Sequence, residues 1–117
     1  MEFYFHEIDK SVMILGADGG LNGENARRFI EQLEALVDGG VNKIIVDCSH
    51  LDYISSSGIA MLVRLHRKLA ARGGDVKVAA PKSIVLTALT VMHLGKLFEI
   101  YPDVDQARLA FRPKQAG

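Results

Sequence analysis

The chain has 117 residues, of which 49% are hydrophobic and 24% are charged, and its 14 basic residues balance its 14 acidic ones. This length predicts one domain, and the composition is that of a globular protein rather than a disordered one. The zero net charge argues against a protein that binds nucleic acid or is drawn to an anionic membrane by long-range attraction.

The sequence lacks the signals that direct a chain into a membrane. The first residues carry no basic stretch followed by an apolar run, which argues against a secretory signal. No apolar stretch approaches the ~20 residues that span a bilayer. The single cysteine, Cys48, cannot form an internal disulfide and suits a reducing compartment. We therefore expect a cytoplasmic protein without direct membrane insertion.

The first elements have a pattern that is typical of paired strands. Residues 3–8 and 11–16 alternate or run apolar around the break at Asp9-Lys10, which predicts an antiparallel β-hairpin. The glycine-rich residues 16–20 are expected to form a flexible loop, because glycine accepts positive φ angles without a steric cost.

An amphipathic helix is predicted next, since apolar residues recur at a spacing of three and four. Asn22 or Gly23 is expected to cap its start, and Gly39-Gly40 is expected to end it. The residues expected to face the core are Ala26, Phe29, Ile30, Leu33, Leu36 and Val37.

A central strand and a second amphipathic helix follow. Residues 42–47 carry consecutive apolar side chains, as expected of a strand covered on both faces of a sheet. A short loop then leads to a helix over about residues 57–72, which Gly73-Gly74 ends. The residues expected on the inner side of this helix are Ile59, Leu62, Val63, Leu65, His66 and Leu69. The cations expected on its outer side are Arg64, Arg67, Lys68 and Arg72. A solvated face is the simpler interpretation of these cations, although an acidic partner could use them.

The remaining predicted elements are a strand at 76–80, a third helix, a short edge strand at 97–100 and a last helix. Pro81-Lys82-Ser83 opens the third helix, and Asp103 is expected to cap the last helix, which extends to Phe111. The residues expected to pack inward are Val85, Leu86, Leu89 and Met92 in the third helix, and Val104, Ala107, Leu109 and Phe111 in the last.

This order of elements predicts an α/β fold. Strands separated by helices pair in parallel through right-handed crossovers, whereas the N-terminal hairpin pairs antiparallel. We expect a small mixed sheet with about four helices packed on it. Residues 1–111 are expected to form this single domain, and residues 112–117 a flexible tail.

Three consecutive serines, Ser55, Ser56 and Ser57, lie at the start of the second helix and are followed by Gly58. One of them is expected to cap the helix, a contribution of about 1 kcal/mol. Unpaired backbone N–H groups and the positive end of the helix dipole also favour a phosphate at this position. Because Gly58 has no side chain, the turn is expected to be open to an approaching partner. The turn therefore suits a binding switch.

The residues around this turn resemble the STAS domain of bacterial anti-sigma factor antagonists. Over residues 47–65, an apolar strand ending in aspartate is followed by the pattern Leu-x-x-Ile-x-Ser-Ser-Gly-Ile-x-x-Leu. Gly16 and Asn22 have the family's spacing before the first helix. The glycine turn of residues 71–78 and the Leu-Gly-x-Leu-Phe element of residues 94–98 are also similar, so the resemblance extends over nearly the whole chain.

The resemblance implies a STAS-like fold and a regulatory protein that is not an enzyme and uses no cofactor or metal. In that family a partner anti-sigma factor kinase phosphorylates the serine directly before the glycine, which is Ser57 here, with Ser56 as the second choice. The unphosphorylated form binds the kinase and so releases the sigma factor, and a cognate phosphatase is a further expected partner. The residues implied to contact the partner are Asp18, Gly19, Asn22, Ser55, Ser56, Ser57, Gly58 and Met61.

Two positions depart from the family pattern. The family often has an aspartate two positions before the phosphorylated serine, where this chain has Ser55. Its first loop usually reads Gly-x-Leu-Asp, where this chain has Gly16-Ala17-Asp18-Gly19. Both changes remove or move a carboxylate in the region that a kinase would read. The missing carboxylate at Ser55 motivates an alternative, in which the chain is an accessory subunit of a transport or lipid-trafficking ATPase complex without a phosphorylation switch.

A small hydrolase that uses Ser57 as nucleophile and His50 as base is a third hypothesis. The sequence argues against it, because Ser55 and Ile59 stand where a Gly-x-Ser-x-Gly elbow has its glycines. The histidines also lack acidic or cysteine companions at ligand spacing, which argues against a metal site.

Several residues near the turn have two interpretations. Asp47 could lie at a ligand-binding crevice, but a carboxylate that accepts loop N–H groups is the simpler interpretation. Cys48 is interpreted as a small buried apolar residue rather than a reactive thiol. Ile59 and Met61 could lie in the core or in a partner interface, and a monomer or a weak dimer is expected.

Overall fold

The computed structural model describes residues 2–9, 12–91 and 97–111. The predictions for Met92, for most of the Leu-Gly-x-Leu-Phe element and for the tail at 112–117 lie outside these residues.

The described elements follow the order ββαββαβαβα. The strands are β1 (Glu2–Asp9), β2 (Val12–Leu21), β3 (Lys43–Asp47), β4 (Leu51–Ile54), β5 (Asp75–Ala79) and β6 (Glu99–Tyr101). The helices are α1 (Gly23–Asp38), α2 (Ser56–Ala70), α3 (Ser83–Val91) and α4 (Val104–Ala110). Each of the four predicted helices is confirmed, with Asn22 and Asp103 as the N-caps of α1 and α4.

Five of the strands form a sheet in the order β1-β2-β3-β5-β6. β1 pairs antiparallel with β2, and the pairs β2–β3, β3–β5 and β5–β6 are parallel. β4 lies off this path and adds a short parallel pairing to the C-terminal part of β2. The predicted α/β architecture is confirmed.

The segment expected to be a flexible loop, residues 16–20, is instead part of β2, so that prediction was wrong. Gly16 lies opposite Tyr4 of β1, and Gly20 lies opposite Tyr53 of β4. A Cβ at Gly16 would come within 2.0 Å of the Tyr4 ring, and one at Gly20 within 1.7 Å of the Tyr53 ring. The glycines thus let aromatic rings of the neighbouring strands lie across the β2 backbone.

The strand β4 was not predicted, because the segment before the serines was expected to be a short loop. Leu51 is buried and Tyr53 is 43% exposed, but a four-residue strand offers too little alternation to identify from sequence. The pairing of β4 with β2 brings Ile54 beside Leu21. This pairing fixes the turn that follows β4 next to the end of β2.

The core lies on both faces of the sheet. Residues from α1, α2 and α3 pack on one face, and α4 packs on the other. The consecutive residues Ile44 and Ile45 of β3 belong to the two different clusters, and both are fully buried. The prediction of a central strand covered on both faces is therefore confirmed.

Two residues predicted to pack inward point outward instead. Leu86 of α3 is 40% exposed and Leu109 of α4 is 45% exposed. In α3 the buried residues are Val85 and Leu89, which are four apart and share one face, while the helix is apolar on other faces as well. In α4 the buried residue is Ala107, and Leu109 lies two positions away on another side of a short helix.

Candidate functional site

Ser55 is the serine that caps α2. Its backbone is extended, with φ −83° and ψ 170°, and its hydroxyl oxygen accepts a hydrogen bond from the N–H of Gly58 at 3.2 Å. Its own N–H donates to the carbonyl oxygen of Leu21 at 2.8 Å, which ties the turn to the end of β2. The capping contribution therefore belongs to Ser55, and neither of the other two serines is needed for it.

Ser56 and Ser57 form the first turn of α2, and both are exposed. Neither hydroxyl makes a hydrogen bond to another residue within the described parts of the chain. The Ser57 Oγ lies 3.4 Å from the position that a Cβ on Gly23 would occupy, so this hydroxyl sits against the start of α1. Of the three serines, Ser57 thus combines a free hydroxyl with a position between two helices.

Gly58 faces the core and not the solvent. It is buried, and a Cβ on it would approach Ile54 Cγ1 to 2.8 Å and Leu21 Cδ2 to 3.0 Å. The expectation that its missing side chain opens the turn to a partner was therefore wrong. Gly58 instead lets α2 pack closely on the ends of β2 and β4.

The junction between β2 and α1 lies beside this turn and is held by a capping box. The Asn22 side chain accepts hydrogen bonds from the N–H groups of Glu24 and Asn25. The Asn25 side chain accepts from the Asn22 N–H at 2.7 Å and donates to the Gly20 carbonyl oxygen at 2.9 Å. Asn22 is therefore the N-cap of α1, and this structural role does not depend on a partner.

Two further predicted contact residues precede this junction on β2. Asp18 is exposed, and Gly19 is half-buried, with its N–H donating to the His50 carbonyl oxygen at 3.0 Å. They lie on a strand, so their position is fixed by the pairing of β2 with β1 and β4. Of the two, Asp18 presents a charged side chain to solvent.

Tyr53 is a surface residue of this region that sequence reasoning missed. Its ring lies over Gly20, it is 43% exposed, and its hydroxyl accepts a hydrogen bond from Asn22 Nδ2 at 3.4 Å. It thereby joins the junction before α1 to the strand before the serines. The signal in the sequence was an aromatic residue two positions before the serine run, opposite a glycine-rich segment.

A groove of about 260 Å³ runs between α1 and α2 from Ser57. Its lining includes Met61, which is 5% exposed and belongs to the main core, as does Ile59. Of the two interpretations of Met61, burial in the core is therefore the one observed, although the residue borders the groove. The residues that line this α1–α2 groove are Gly23, Ala26, Arg27, Ile30, Ser57, Ala60, Met61 and Arg64.

Beyond the groove, charged side chains join the two helices in an ion-pair ladder. Arg64 pairs with Glu34 at 2.9 Å, and Lys68 pairs with both Glu34 at 3.5 Å and Asp38 at 3.1 Å. Arg72 pairs with Asp38 at 2.9 Å. A hydrogen bond from Lys68, with further effects of Lys68 and Arg72, lowers the pKa of Asp38 below its ordinary value. Three of the four cations interpreted as a solvated face are thus paired within the molecule, and Arg67 remains exposed.

The end of β3 carries polar groups that serve the fold. Asp47 accepts hydrogen bonds from the Ser49 N–H at 3.0 Å and the Tyr4 hydroxyl at 3.2 Å, as the simpler interpretation predicted. Burial, and then the charge of Asp47, raises the pKa of Tyr4 to about 12. Cys48 is 1% exposed, and burial raises its thiol pKa to about 12, which suits an inert thiol.

The pair required by the hydrolase hypothesis is not assembled. The His50 ring packs edge-on against Tyr4 with a centroid distance of 6.2 Å. Ser57 lies instead against Gly23, and no hydrogen bond links it to His50 among the residues described.

The described part of the chain contains no group of three or more histidine, cysteine, aspartate or glutamate side chains placed to hold a metal ion. Within the same residues, no helix has the length and apolar character that crossing a bilayer requires.

Comparison with known proteins shows which family and which proteins this chain resembles. Residues 6–107 match the STAS domain family. The chain is 26% identical over 112 residues to BtrV of Bordetella bronchiseptica, which is named as a candidate anti-sigma factor antagonist, and the match covers 96% of each chain.

Solved structures share the fold. A candidate anti-sigma factor antagonist from Thermotoga maritima superposes with a TM-score of 0.90 at 26% identity, over 95% of each chain. The anti-sigma factor antagonist SpoIIAA superposes in its unphosphorylated form with a TM-score of 0.83 at 17% identity, over 97% of this chain and 100% of that one. The phosphorylated form of SpoIIAA from Bacillus gives 0.76 at 19% identity, over 95% and 100%.

Proposed function

Since this chain belongs to the STAS domain family, we propose that it is an anti-sigma factor antagonist whose binding to an anti-sigma factor is controlled by phosphorylation of Ser57. The observation that carries the proposal is the free Ser57 hydroxyl, exposed in the first turn of α2 and not used for capping. Relatives named as candidate anti-sigma factor antagonists support the choice of partner. The protein acts by binding and is not an enzyme.

Ser57 is preferred over its two neighbours because of what each hydroxyl does. Ser55 accepts the hydrogen bond from Gly58 that caps α2, so its modification would remove a helix cap. Ser56 is exposed but does not line the α1–α2 groove, whereas Ser57 does. A kinase that approaches the start of both helices therefore meets Ser57, and Ser56 is the second choice.

A phosphate on Ser57 would act on recognition and leave the scaffold intact. It adds about −1.5 to −2 charges at pH 7. The N–H groups of the first helical turn favour a negative charge there, so α2 should remain folded. A partner packed on neutral hydroxyls would instead have to desolvate a dianion, at a cost that favours release.

The proposed partner surface combines the serine turn with the end of β2. It consists of exposed or half-buried groups that the β2–β4 pairing and the Asn22 capping box hold in place: Asp18, Gly19, Asn22, Tyr53, Ser55, Ser56 and Ser57. Gly58 and Met61 support this surface from below, because both are buried. Tyr53 is the large apolar residue of the set, and we propose it as a binding anchor.

The serine at position 55 alters the charge that a kinase would contact, but it keeps the conformation of the turn. Serine and aspartate are comparable N-caps, so Ser55 keeps the capping role that an aspartate would have. What is lost is one negative charge beside the modified hydroxyl. We therefore propose that the cognate kinase of this chain recognises a less acidic site than is usual in the family.

The test is to incubate the purified chain with candidate anti-sigma factor kinases of its host and ATP, and to map the product by mass spectrometry. We expect one phosphate on Ser57, which Ser57→Ala abolishes and the control Ser56→Ala does not. Continued modification of the Ser57→Ala variant would contradict the assignment. A cognate phosphatase should then restore the unmodified form.

A pull-down from the native host separates this function from the transport alternative. We expect the wild-type chain and Ser57→Ala to retain a small anti-sigma factor, and Ser57→Glu to lose it. Capture of a transport or lipid-trafficking ATPase, equally by wild type and Ser57→Glu, would instead favour an accessory subunit without a switch.

A further inference from the structure

Arg27 is a cation of α1 without a partner among the residues that the structure describes. Its guanidinium makes no ion pair or hydrogen bond within that part of the chain. Arg64, the other cation of the α1–α2 groove, is engaged by Glu34 at 2.9 Å. Arg27 and Ser57 line the same groove of about 260 Å³, so a free guanidinium and a free hydroxyl share one cavity.

Helix geometry directs Arg27 towards Ser57. The Ser57 Oγ lies 3.4 Å from the position of a Cβ on Gly23. Arg27 follows Gly23 by four residues, which places both on one face of α1 about one turn apart. Long side chains in a helix point back towards its N-terminus and cover the preceding turn. Arg27 is therefore placed to reach back over the turn of α1 that the Ser57 hydroxyl faces.

We propose that a phosphate on Ser57 is held within the same molecule by Arg27, in the α1–α2 groove. The inference rests on the proposed phosphorylation of Ser57 and names the group that receives the phosphate. A guanidinium binds two phosphate oxygens at once in a planar, charge-assisted arrangement. The small side chains of Ala26 and Ala60 line the groove and leave room for a phosphate beside Arg27.

This contact would give phosphorylation a second effect besides the desolvation cost that the partner meets. The phosphate occupies part of the groove, and it also engages Arg27, a free cation next to Ser57 at the edge of the proposed partner surface. A carboxylate of the partner can then no longer use Arg27. In the bound state a carboxylate of the partner would pair with Arg27. In the released state the phosphate on Ser57 would pair with it instead.

The test uses the full chain with phosphoserine inserted at position 57 during translation, so that no kinase is needed. Titration followed by ³¹P NMR gives the second pKa of the phosphate, which is ordinarily about 6. We expect this pKa to be about 0.5 lower when Arg27 is present than in the Arg27→Gln variant, because a guanidinium stabilises the dianion. Arg27→Lys should keep part of the difference, since it retains the charge and loses the fork.

Arg28→Gln is the matched control. Arg28 is the next residue of α1, is exposed, and lines a different depression with Asn22, Glu24 and Asn25. We expect this variant to keep the lowered pKa. Equal values with and without Arg27, or an equal rise in Arg28→Gln, would overturn the proposal, because a general loss of positive charge would then account for any change.

The outcomes separate this inference from the proposed function. If a kinase modifies Ser57 but Arg27→Gln leaves the phosphate pKa unchanged, the switch stands and the contact with Arg27 is overturned. If the pKa difference is found but no host kinase modifies Ser57, the contact stands and its use in regulation is lost.

Discussion

The two ends of the α1–α2 interface differ in the side chains that form them. At the N-terminal end the helices meet through Gly23, Ala26 and Ala60, and a groove remains between them. At the C-terminal end the ion-pair ladder of Glu34, Asp38, Arg64, Lys68 and Arg72 joins them. Small side chains leave space at one end, and paired charges close the other.

This difference shows which charges are available to a partner. A basic stripe on α2 suggests an acidic partner when it is considered alone. Three of its four cations are paired with α1, so they contribute to packing and would have to be released before they could bind. The fourth, Arg67, is exposed and makes no ion pair among the described residues. At the groove end, Ser57 and Arg27 are also free, and they share one cavity.

The largest expected effect is on partner binding at the groove end. Ser57→Glu places a charge where an anti-sigma factor is proposed to pack, and burying an unpaired charge in an interface typically costs 2–5 kcal/mol. We expect affinity for the cognate anti-sigma factor to fall about 30-fold or more in isothermal titration calorimetry.

Ser83→Glu is the matched control for this change, since Ser83 is an exposed serine at the start of α3. It adds the same charge to another helix start and should leave the affinity within a factor of about two. An equal loss of affinity in both variants would mean that net charge, and not the groove end, governs binding.

Two glycines at the groove end should respond to alanine in opposite ways. In Gly58→Ala the new Cβ would approach Ile54 to 2.8 Å, which requires the packing to shift, so we expect a loss of about 1–2 kcal/mol in the free energy of unfolding. In Gly23→Ala the Cβ would meet the Ser57 Oγ at 3.4 Å, an ordinary contact, and the better helix propensity should make the change neutral or stabilising by about 0.5 kcal/mol.

Urea denaturation measures both glycine variants under the same conditions. Comparable destabilisation by the two substitutions would show that the close approach of Ile54 to Gly58 does not set the cost of an added Cβ. A stable Gly58→Ala protein would contradict the close contact with Ile54 directly.

At the ladder end, removing one carboxylate should cost less. Glu34→Gln breaks the ion pairs with Arg64 and Lys68, and we expect a loss of about 0.5–1 kcal/mol in the free energy of unfolding. Glu31→Gln is the control, because Glu31 is an exposed residue of the same helix outside the ladder. Equal stability of the two variants in urea would show that the ladder contributes nothing measurable.

The helices and the central strand were predictable from sequence because their signals are long or continuous. Apolar periodicity over α1 and α2, the caps Asn22 and Asp103, and the apolar run of β3 are each visible within one segment. The position of Ser57 at a helix start was also visible, and the resemblance to a family singled it out among three serines.

What could not be predicted depends on contacts between distant segments. The strand character of Gly16 and Gly20 depends on rings of Tyr4 and Tyr53, which lie on other strands. The ladder joins residues that are about thirty positions apart, so no periodicity within α2 reveals it. The inward orientation of Gly58 likewise follows from packing on Leu21 and Ile54, and not from its place in the turn.

The smallest effect is the pH dependence of the ladder. The pKa of Asp38 is lowered in the folded state, so its ion pairs stabilise the fold above the ordinary carboxyl pKa of 3.8. As the pH falls through the lower folded-state pKa, the carboxylate is protonated and this stabilisation is lost. Wild type should therefore be more stable than Asp38→Asn at pH 7, and the difference should shrink as the pH drops below 3.8.

Thermal unfolding between pH 7 and pH 3 in low salt measures this difference. Raising the salt concentration at pH 7 should also reduce it, because exposed ion pairs are screened. The difference in stability between wild type and Asp38→Asn could instead stay constant with pH and salt. The effect of the substitution would then come from helix propensity near the end of α1. In that case the side chains of the ladder would join the two helices by packing and not by charge.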